Sequence, residues 1–250
     1  MAKLTILGSA AAVPDMDHEN VYMVLEGEKS ALLIDCAGSP LARLRAAGVD
    51  LDKLDSLIVT HHHPDHIYGV PSLLLGLRMH GRRALFDIFG TRESLAVIWG
   101  TMDLLQWQKW PNPFPVGRHE VEMTEGALVV DSDEFGVRAT PTEHSAPSIG
   151  LQIVSKATGK VVAYSSDTSP CDAFVRLAQG ADILIHESTG DYVGHSTGTQ
   201  AGAVAGRCGA KKLVLIHYPI DADLKALRWE AEKEFGDPVE LAEDFAVYVF

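Results

Sequence analysis

Hydrophobic and polar positions fall into short apolar runs separated by stretches of helical spacing. Runs of aliphatic and β-branched residues at 4–8, 22–26, 31–35, 56–60 and 84–90 read as strands, being too short for helices and bounded by turn residues. A later set follows at 136–140, 149–154, 161–165, 182–186, 213–217 and 245–250. Apolar residues recurring every three to four positions predict helices over 40–47, 67–80, 92–107, 171–179, 197–208 and 222–234. The early strands crowd together as a meander and the later ones alternate with helices. An α/β arrangement of two sheets between outer helices buries both patterns. No repeat or low-complexity linker interrupts them, so residues 1–250 are expected to form one domain. The least regular stretch, 109–119, holds Pro111, Pro113 and Pro115, which forbid a continuous helix.

Composition narrows the class only a little. An apolar fraction of 46% and a charged fraction of 22% are those of an ordinary globular chain. No apolar run approaches the roughly 20 residues of a membrane helix, and the amino terminus reads as a first strand rather than a secretory leader. Cys36, Cys171 and Cys208 are odd in number and dispersed, so no disulfide framework is expected and a reducing cytoplasm is the default setting.

The chemistry begins at Thr60-His61-His62-His63-Pro64-Asp65-His66, between an apolar strand and an apolar helix. Pro64 disfavours helix at the residue before it, so the histidines occupy a loop leaving the strand end. In extended backbone His61 and His63 project to one side and His62 to the other. Asp65 and His66 open the next helix and can face the same pocket. Imidazole and carboxylate suit zinc, manganese or iron. A solvated, incidentally His-rich loop is the bland alternative.

This pattern resembles the H-x-H-x-D-H signature of the metallo-β-lactamase superfamily. The order continues with His144 in Thr142-Glu143-His144-Ser145, Asp167 in Tyr164-Ser165-Ser166-Asp167-Thr168, and His217 closing Leu213-Val214-Leu215-Ile216-His217. Asp35, ending an early strand, matches an aspartate that the family often has there. The resemblance covers nearly the whole chain and implies a four-layer αββα metallo-β-lactamase sandwich with the site at one sheet edge. It also implies that His61, His63 and His144 hold one divalent metal, that Asp65, His66 and His217 hold a second, and that Asp167 bridges them. Two such cations, zinc in the first place and manganese or iron otherwise, lower the pKa of a water toward neutrality. Asp65 could also orient the nucleophile. His63 stands where the oxygen-reducing flavo-diiron branch tends to carry Glu, and no flavodoxin-like segment follows, so hydrolysis is expected rather than redox chemistry.

A second block, Ile185-His186-Glu187-Ser188-Thr189 with Gly194-His195-Ser196-Thr197 and Gln200-Ala201, resembles the HEAT and HST motifs of ribonuclease Z and its relatives. Leu7-Gly8-Ser9-Ala10 and Ile34-Asp35-Cys36 look similar to the same group's opening motif. By that resemblance His195 is the general acid for a departing alkoxide, and Glu187 the carboxylate that raises its pKa. His195 can also be read as a polar residue at a helix start, beside the capping residues Ser196 and Thr197. His186 is either an orienting group or a satisfied polar residue at a strand end. Only 22 residues separate His144 from Asp167, which leaves no room for the tRNA-gripping arm usual in ribonuclease Z.

The excess of 34 acidic over 21 basic residues, a formal charge of −13, works against a long polyanion, because nucleic-acid binding rests on basic side chains. The expected substrate is therefore a small phosphodiester, a cyclic nucleotide or a short RNA. The alternatives are a lactone or thioester hydrolase of the same superfamily, and a non-catalytic RNA- or metal-binding protein with this fold. A homodimer is common in the lineage. Arg78, Arg82 and Arg83 could bind phosphate, but read more simply as a helix C-terminus. Trp99, Trp107, Trp110 and Phe114 could form a lid or stacking surface, but read more simply as core. His18 and the pair Lys211-Lys212 read as surface residues.

Overall fold

The computed structural model describes all 250 residues. Strands β1 (Lys3–Gly8), β2 (Tyr22–Glu26) and β3 (Ala31–Ile34) form an antiparallel meander. Helix α1 (Pro40–Ala46) then leads to β4 (Leu54–Val59), which pairs parallel to β3. After α2 (Pro64–Ile67) and α3 (Val70–Met79), β5 (Phe86–Gly90) extends the parallel part. Helix α4 (Arg92–Leu104) and a 3₁₀ turn, Trp107–Lys109, precede β6 (Val116–Glu120), the last strand of this side.

The second sheet opens with β7 (Ala127–Asp131), β8 (Phe135–Pro141), β9 (Ile149–Ser155) and β10 (Val161–Tyr164), all antiparallel neighbours. Helices α5 (Asp172–Leu177), α6 (Gly198–Cys208) and α7 (Leu224–Phe235) alternate with β11 (Ile183–Glu187), β12 (Leu213–Ile216) and β13 (Val239–Leu241). These last strands run parallel to β10, and β14 (Val247–Val249) crosses back to pair with β1. The two seven-stranded sheets have the orders β14-β1-β2-β3-β4-β5-β6 and β13-β12-β11-β10-β9-β8-β7.

Strand side chains alternate between faces, and here both faces are buried. Met23 and Leu25 join Leu151, Ile153, Val214 and Ile216 in the core between the sheets. Tyr22 and Val24 point instead into a second core beneath α3 and α4. Leu213 and Leu215 enter a third core beneath α5, α6 and α7. This explains why the strands read as nearly continuous apolar runs, and it gives the αββα sandwich expected from the sequence.

Two helices differ from their expected form, and three strands form where the apolar pattern predicts none. The helix expected over 67–80 is broken after Ile67, where Gly69 donates its N–H to Cys36 O at 2.9 Å. A Cβ on Gly69 would lie 2.7 Å from Ala37 O, so only glycine allows this approach. The helix expected over 92–107 stops at Leu104, because Gln106 adopts a left-handed backbone with φ of 50°. Strands β6, β7 and β13 were not anticipated. β6 is a largely exposed edge strand of sequence VGRHE, so it carries no apolar alternation to read.

Candidate metal centre

Strands β8, β10, β11 and β12 run in one direction, and their carboxyl ends meet the carboxyl end of β4 across the sandwich. The loops leaving these ends bring His61, His63, Asp65 and His66 from the first sheet together with His144, Asp167 and His217 from the second. The cluster thus spans both sheets rather than the edge of one. Three of the turning residues hold left-handed backbone without being glycine: Asp35 (φ 58°), Ser166 (φ 52°) and His217 (φ 56°). Each such conformation costs about 1–3 kcal/mol and persists only where surrounding contacts impose it. At His217 the backbone N–H is fixed by Ser9 O at 2.8 Å.

Asp167 sits in the middle. Its Oδ2 lies 3.7 Å from His61 Nε2 and 3.9 Å from His144 Nε2, while its Oδ1 lies 3.5 Å from His66 Nε2 and 3.6 Å from His217 Nδ1. His63 Nδ1 is 3.0 Å from His144 Nε2, and Asp65 Oδ2 is 3.4 Å from His217 Nε2. The donors therefore divide into two groups, one on each oxygen of a shared carboxylate.

The imidazoles are oriented from behind. Thr60 Oγ1 donates to Asp35 and so accepts from His61 Nδ1, at 3.2 Å. His66 Nδ1 donates to Asp35 Oδ2 at 2.9 Å, and His144 Nδ1 donates to Gly194 O at 2.7 Å. Thr189 Oγ1 donates to His217 O and accepts from His217 Nδ1, at 2.7 Å. Fixing Nδ1–H in this way leaves the Nε2 lone pair facing the cluster, as metal-binding histidines require.

Buried atoms test the fit. His61 Nε2, His66 Nε2 and Asp167 Oδ1 have no hydrogen-bond partner within the chain, an arrangement expensive to bury unless a cation completes it. Burial and the neighbouring His66 hold the His61 imidazole well below its ordinary pKa. Burial opposes ionisation of Asp167, yet His217, His66 and His61 outweigh it and keep the carboxylate charged. Burial also disfavours a charged His66, but Asp167 and Asp35 outweigh it and raise that imidazole well above its ordinary pKa, so a divalent cation would bind there by displacing the ring proton. The cluster has the make-up for a pair of them.

Behind this layer Asp35 is wholly buried, with Oδ1 accepting the Thr60 N–H at 2.8 Å and Oδ2 accepting from His66. Asp35→Asn is expected to weaken metal retention about 10- to 100-fold, measured by chelator competition. Unchanged retention would show that Asp35 only braces the loop.

His195 stands on the open side, half-buried, with Nδ1 turned inward 3.2 Å from Glu187 Oε1. Burial lowers its pKa, but Glu187 and the more distant Asp167 reverse this and leave it raised. Glu187 itself is fully buried. Its carboxylate accepts the N–H groups of Thr168 (3.2 Å), Thr189 (2.8 Å) and Ser196 (2.9 Å). It thus ties together the backbone segments that carry Asp167, His195 and the partner of His217.

His186 points the other way. It packs edge-on against Phe174 and donates Nδ1–H to Glu187 O at 2.8 Å, away from the cluster. The arginine cluster is likewise structural: Arg78 is bonded to the carbonyls of Trp110 and Pro111, and Arg82 to those of Leu54, Ala84 and Leu85. Trp99 and Phe114 lie in the core, with Trp107 and Trp110 packed against it, so these aromatics form no lid. His18 is bound to Asp15 in a turn. Two walls of the cleft escaped sequence reasoning, residues 11–13 and 219–221. Nothing in their composition marks them.

The fold and the cluster together define the class. A family model described as the beta-lactamase superfamily domain matches residues 31–218, well over half of the chain. The chain belongs to the beta-lactamase superfamily, in its metallo-β-lactamase form. Within it the resemblance is to ribonuclease Z. The ribonuclease Z of Methanothermobacter thermautotrophicus is 26% identical over 302 aligned positions, covering 98% of this chain and 95% of that protein. Human tRNase Z, short form, superposes with a TM-score of 0.80 at 27% identity, covering 99% and 98% of the two chains. The metallo-beta-lactamase fold protein YhfI of Bacillus subtilis gives a TM-score of 0.82 at 25% identity, with the same coverage.

Proposed function

We propose that the protein is a metal-dependent phosphodiesterase of the ribonuclease Z-like group, acting on a small phosphodiester, a cyclic nucleotide or a short RNA. The observation that carries this reading is the placement of His195. Its inner nitrogen is backed by the buried Glu187, and the ring borders a cleft that Asp65, Asp167 and His217 also line.

In this reading His61, His63 and His144 hold one cation, Asp65, His66 and His217 hold the other, and Asp167 belongs to both. Zinc is the first candidate, and manganese or iron share the same donors. Two such cations would supply an activated water and neutralise charge growing on the phosphoryl oxygens. The residues of the chain do the rest. Asp65 orients the attacking water. His195 delivers a proton from its outer nitrogen to the departing alkoxide, and Glu187 keeps that proton on the ring until then. Glu187 cannot reach substrate and is a positioning residue.

The interval between His144 and Asp167 is filled by β9, β10 and their turn, so it offers no extra segment to grip a folded RNA. A substrate smaller than tRNA follows. The three cysteines are unpaired and buried, which suits a reducing cytoplasm, and no helix is long and apolar enough to cross a membrane.

The test is an assay of the metal-loaded protein on bis-p-nitrophenyl phosphate beside a p-nitrophenyl carboxylate ester and a lactone. Diester turnover that disappears on chelation and returns with added zinc or manganese is expected. Ester or lactone turnover without diester turnover would replace this reading with a carboxyl-ester hydrolase.

A further inference from the structure

The cavity over the cluster has a volume of about 390 Å³, within the range of small-ligand pockets (about 300–1,000 Å³). Its floor is the site already described. Its outer wall consists of Ala11, Ala12 and Val13 from the loop after β1, facing Pro219, Ile220 and Asp221 from the loop after His217. The two loops are joined by Ala11 N–H to Tyr218 O at 3.1 Å. Of the 21 lysines and arginines in the chain, none lines this cavity. The single charged side chain of the outer wall is Asp221, exposed and free of any hydrogen bond or ion pair with the rest of the protein.

We infer that this wall selects phosphodiesters bearing one negative charge and an uncharged organic group, and that Asp221 is the specificity-determining residue that turns away a second phosphate. The inference rests on the phosphodiesterase reading above and adds to it the kind of group the outer cleft accepts. Sites that hold several phosphates place Lys or Arg at each, because a phosphate taken from water needs cationic donors in exchange. Here the only strong cationic centre would be the metal cluster, which neutralises the scissile phosphate alone. A neighbouring phosphate would lie instead against apolar side chains and a carboxylate, with part of its hydration lost and its charge opposed. An uncharged sugar or base meets neither penalty and gains contact with Val13, Pro219 and Ile220. Its hydroxyl or amino groups can also donate to Asp221.

The experiment compares two chromogenic diesters that differ only in a terminal phosphate: thymidine 5′-(p-nitrophenyl phosphate) and its 3′-phosphorylated counterpart. The isomeric pair with the two positions exchanged is measured alongside. At low ionic strength kcat/KM is expected to be roughly 5- to 30-fold lower for the bisphosphate in at least one pair. The gap should narrow in about 0.5 M salt, since Asp221 is exposed and its field is screened. Asp221→Asn is expected to shrink the ratio by at least about threefold, and Asp221→Lys to abolish or reverse it. The readout is a ratio within one variant, so a general loss of activity leaves it interpretable. Diester turnover with the same ratio in wild type, Asp221→Asn and Asp221→Lys overturns the role of Asp221. Equal use of both substrates by the wild type overturns the selectivity. Turnover of neither diester by the metal-loaded protein defeats the phosphodiesterase reading itself, and this inference with it.

Discussion

His195→Ala is expected to lower the turnover of a phosphodiester with an alkoxide leaving group by about 100- to 10,000-fold, the usual scale for a positioned general acid, and to leave the metal content unchanged. The loss falls mainly on kcat, because the proton is needed as the leaving-group bond breaks and not as substrate binds. The leaving group provides a check that a merely structural role would not satisfy. p-Nitrophenolate is a weak base and departs with little help, so bis-p-nitrophenyl phosphate should suffer far less than a dinucleotide or a cyclic nucleotide. Equal losses on both substrates would show that His195 only shapes the cleft. Loss of metal in the variant would make it a ligand, a role that its distance of 4.0 Å from Asp167 brings within reach.

The second large effect is expected at Asp167. Its two oxygens face different groups of histidines, so Asp167→Asn removes a negative charge from both at once. The amide keeps the shape of the side chain but presents its NH₂ to one group, where an acceptor is required. Metal analysis should find fewer than two equivalents retained. Turnover should fall at least about a thousandfold, equivalent to losing roughly 4 kcal/mol of transition-state stabilisation. Thermal melting gives an independent reading. Ligands that bind only the folded state raise its stability, so a chelator should lower the melting temperature of the wild type markedly and that of Asp167→Asn much less. Two equivalents of metal and an unaltered chelator response in the variant would remove Asp167 from the centre.

Local pattern is enough to read the strand and helix alternation, the pairing of a meander with a strand–helix series, and the contiguous group from His61 to His66. These are local matters. Period and spacing are set by the backbone, and a strand end followed by Pro64 leaves little freedom in where four adjacent side chains point. Glu187 and His186 show where local reading stops. They are neighbours in one strand and face opposite ways, one into the backbone junction beneath His195 and the other onto Phe174.

What lies behind and around the site is set by packing between segments distant in the chain. Which imidazole nitrogen faces the cluster depends on Thr60, Asp35, Gly194 and Thr189, which reach it from separate loops. The fate of Arg78 depended on carbonyls more than thirty residues away. The cleft wall joins residues 11–13 to residues 219–221, at opposite ends of the chain. Neither stretch has a distinctive composition. Both acquire their role because β1 delivers one loop, and β12 the other, to the same end of the sandwich, a proximity created by long-range packing and carried by no local pattern.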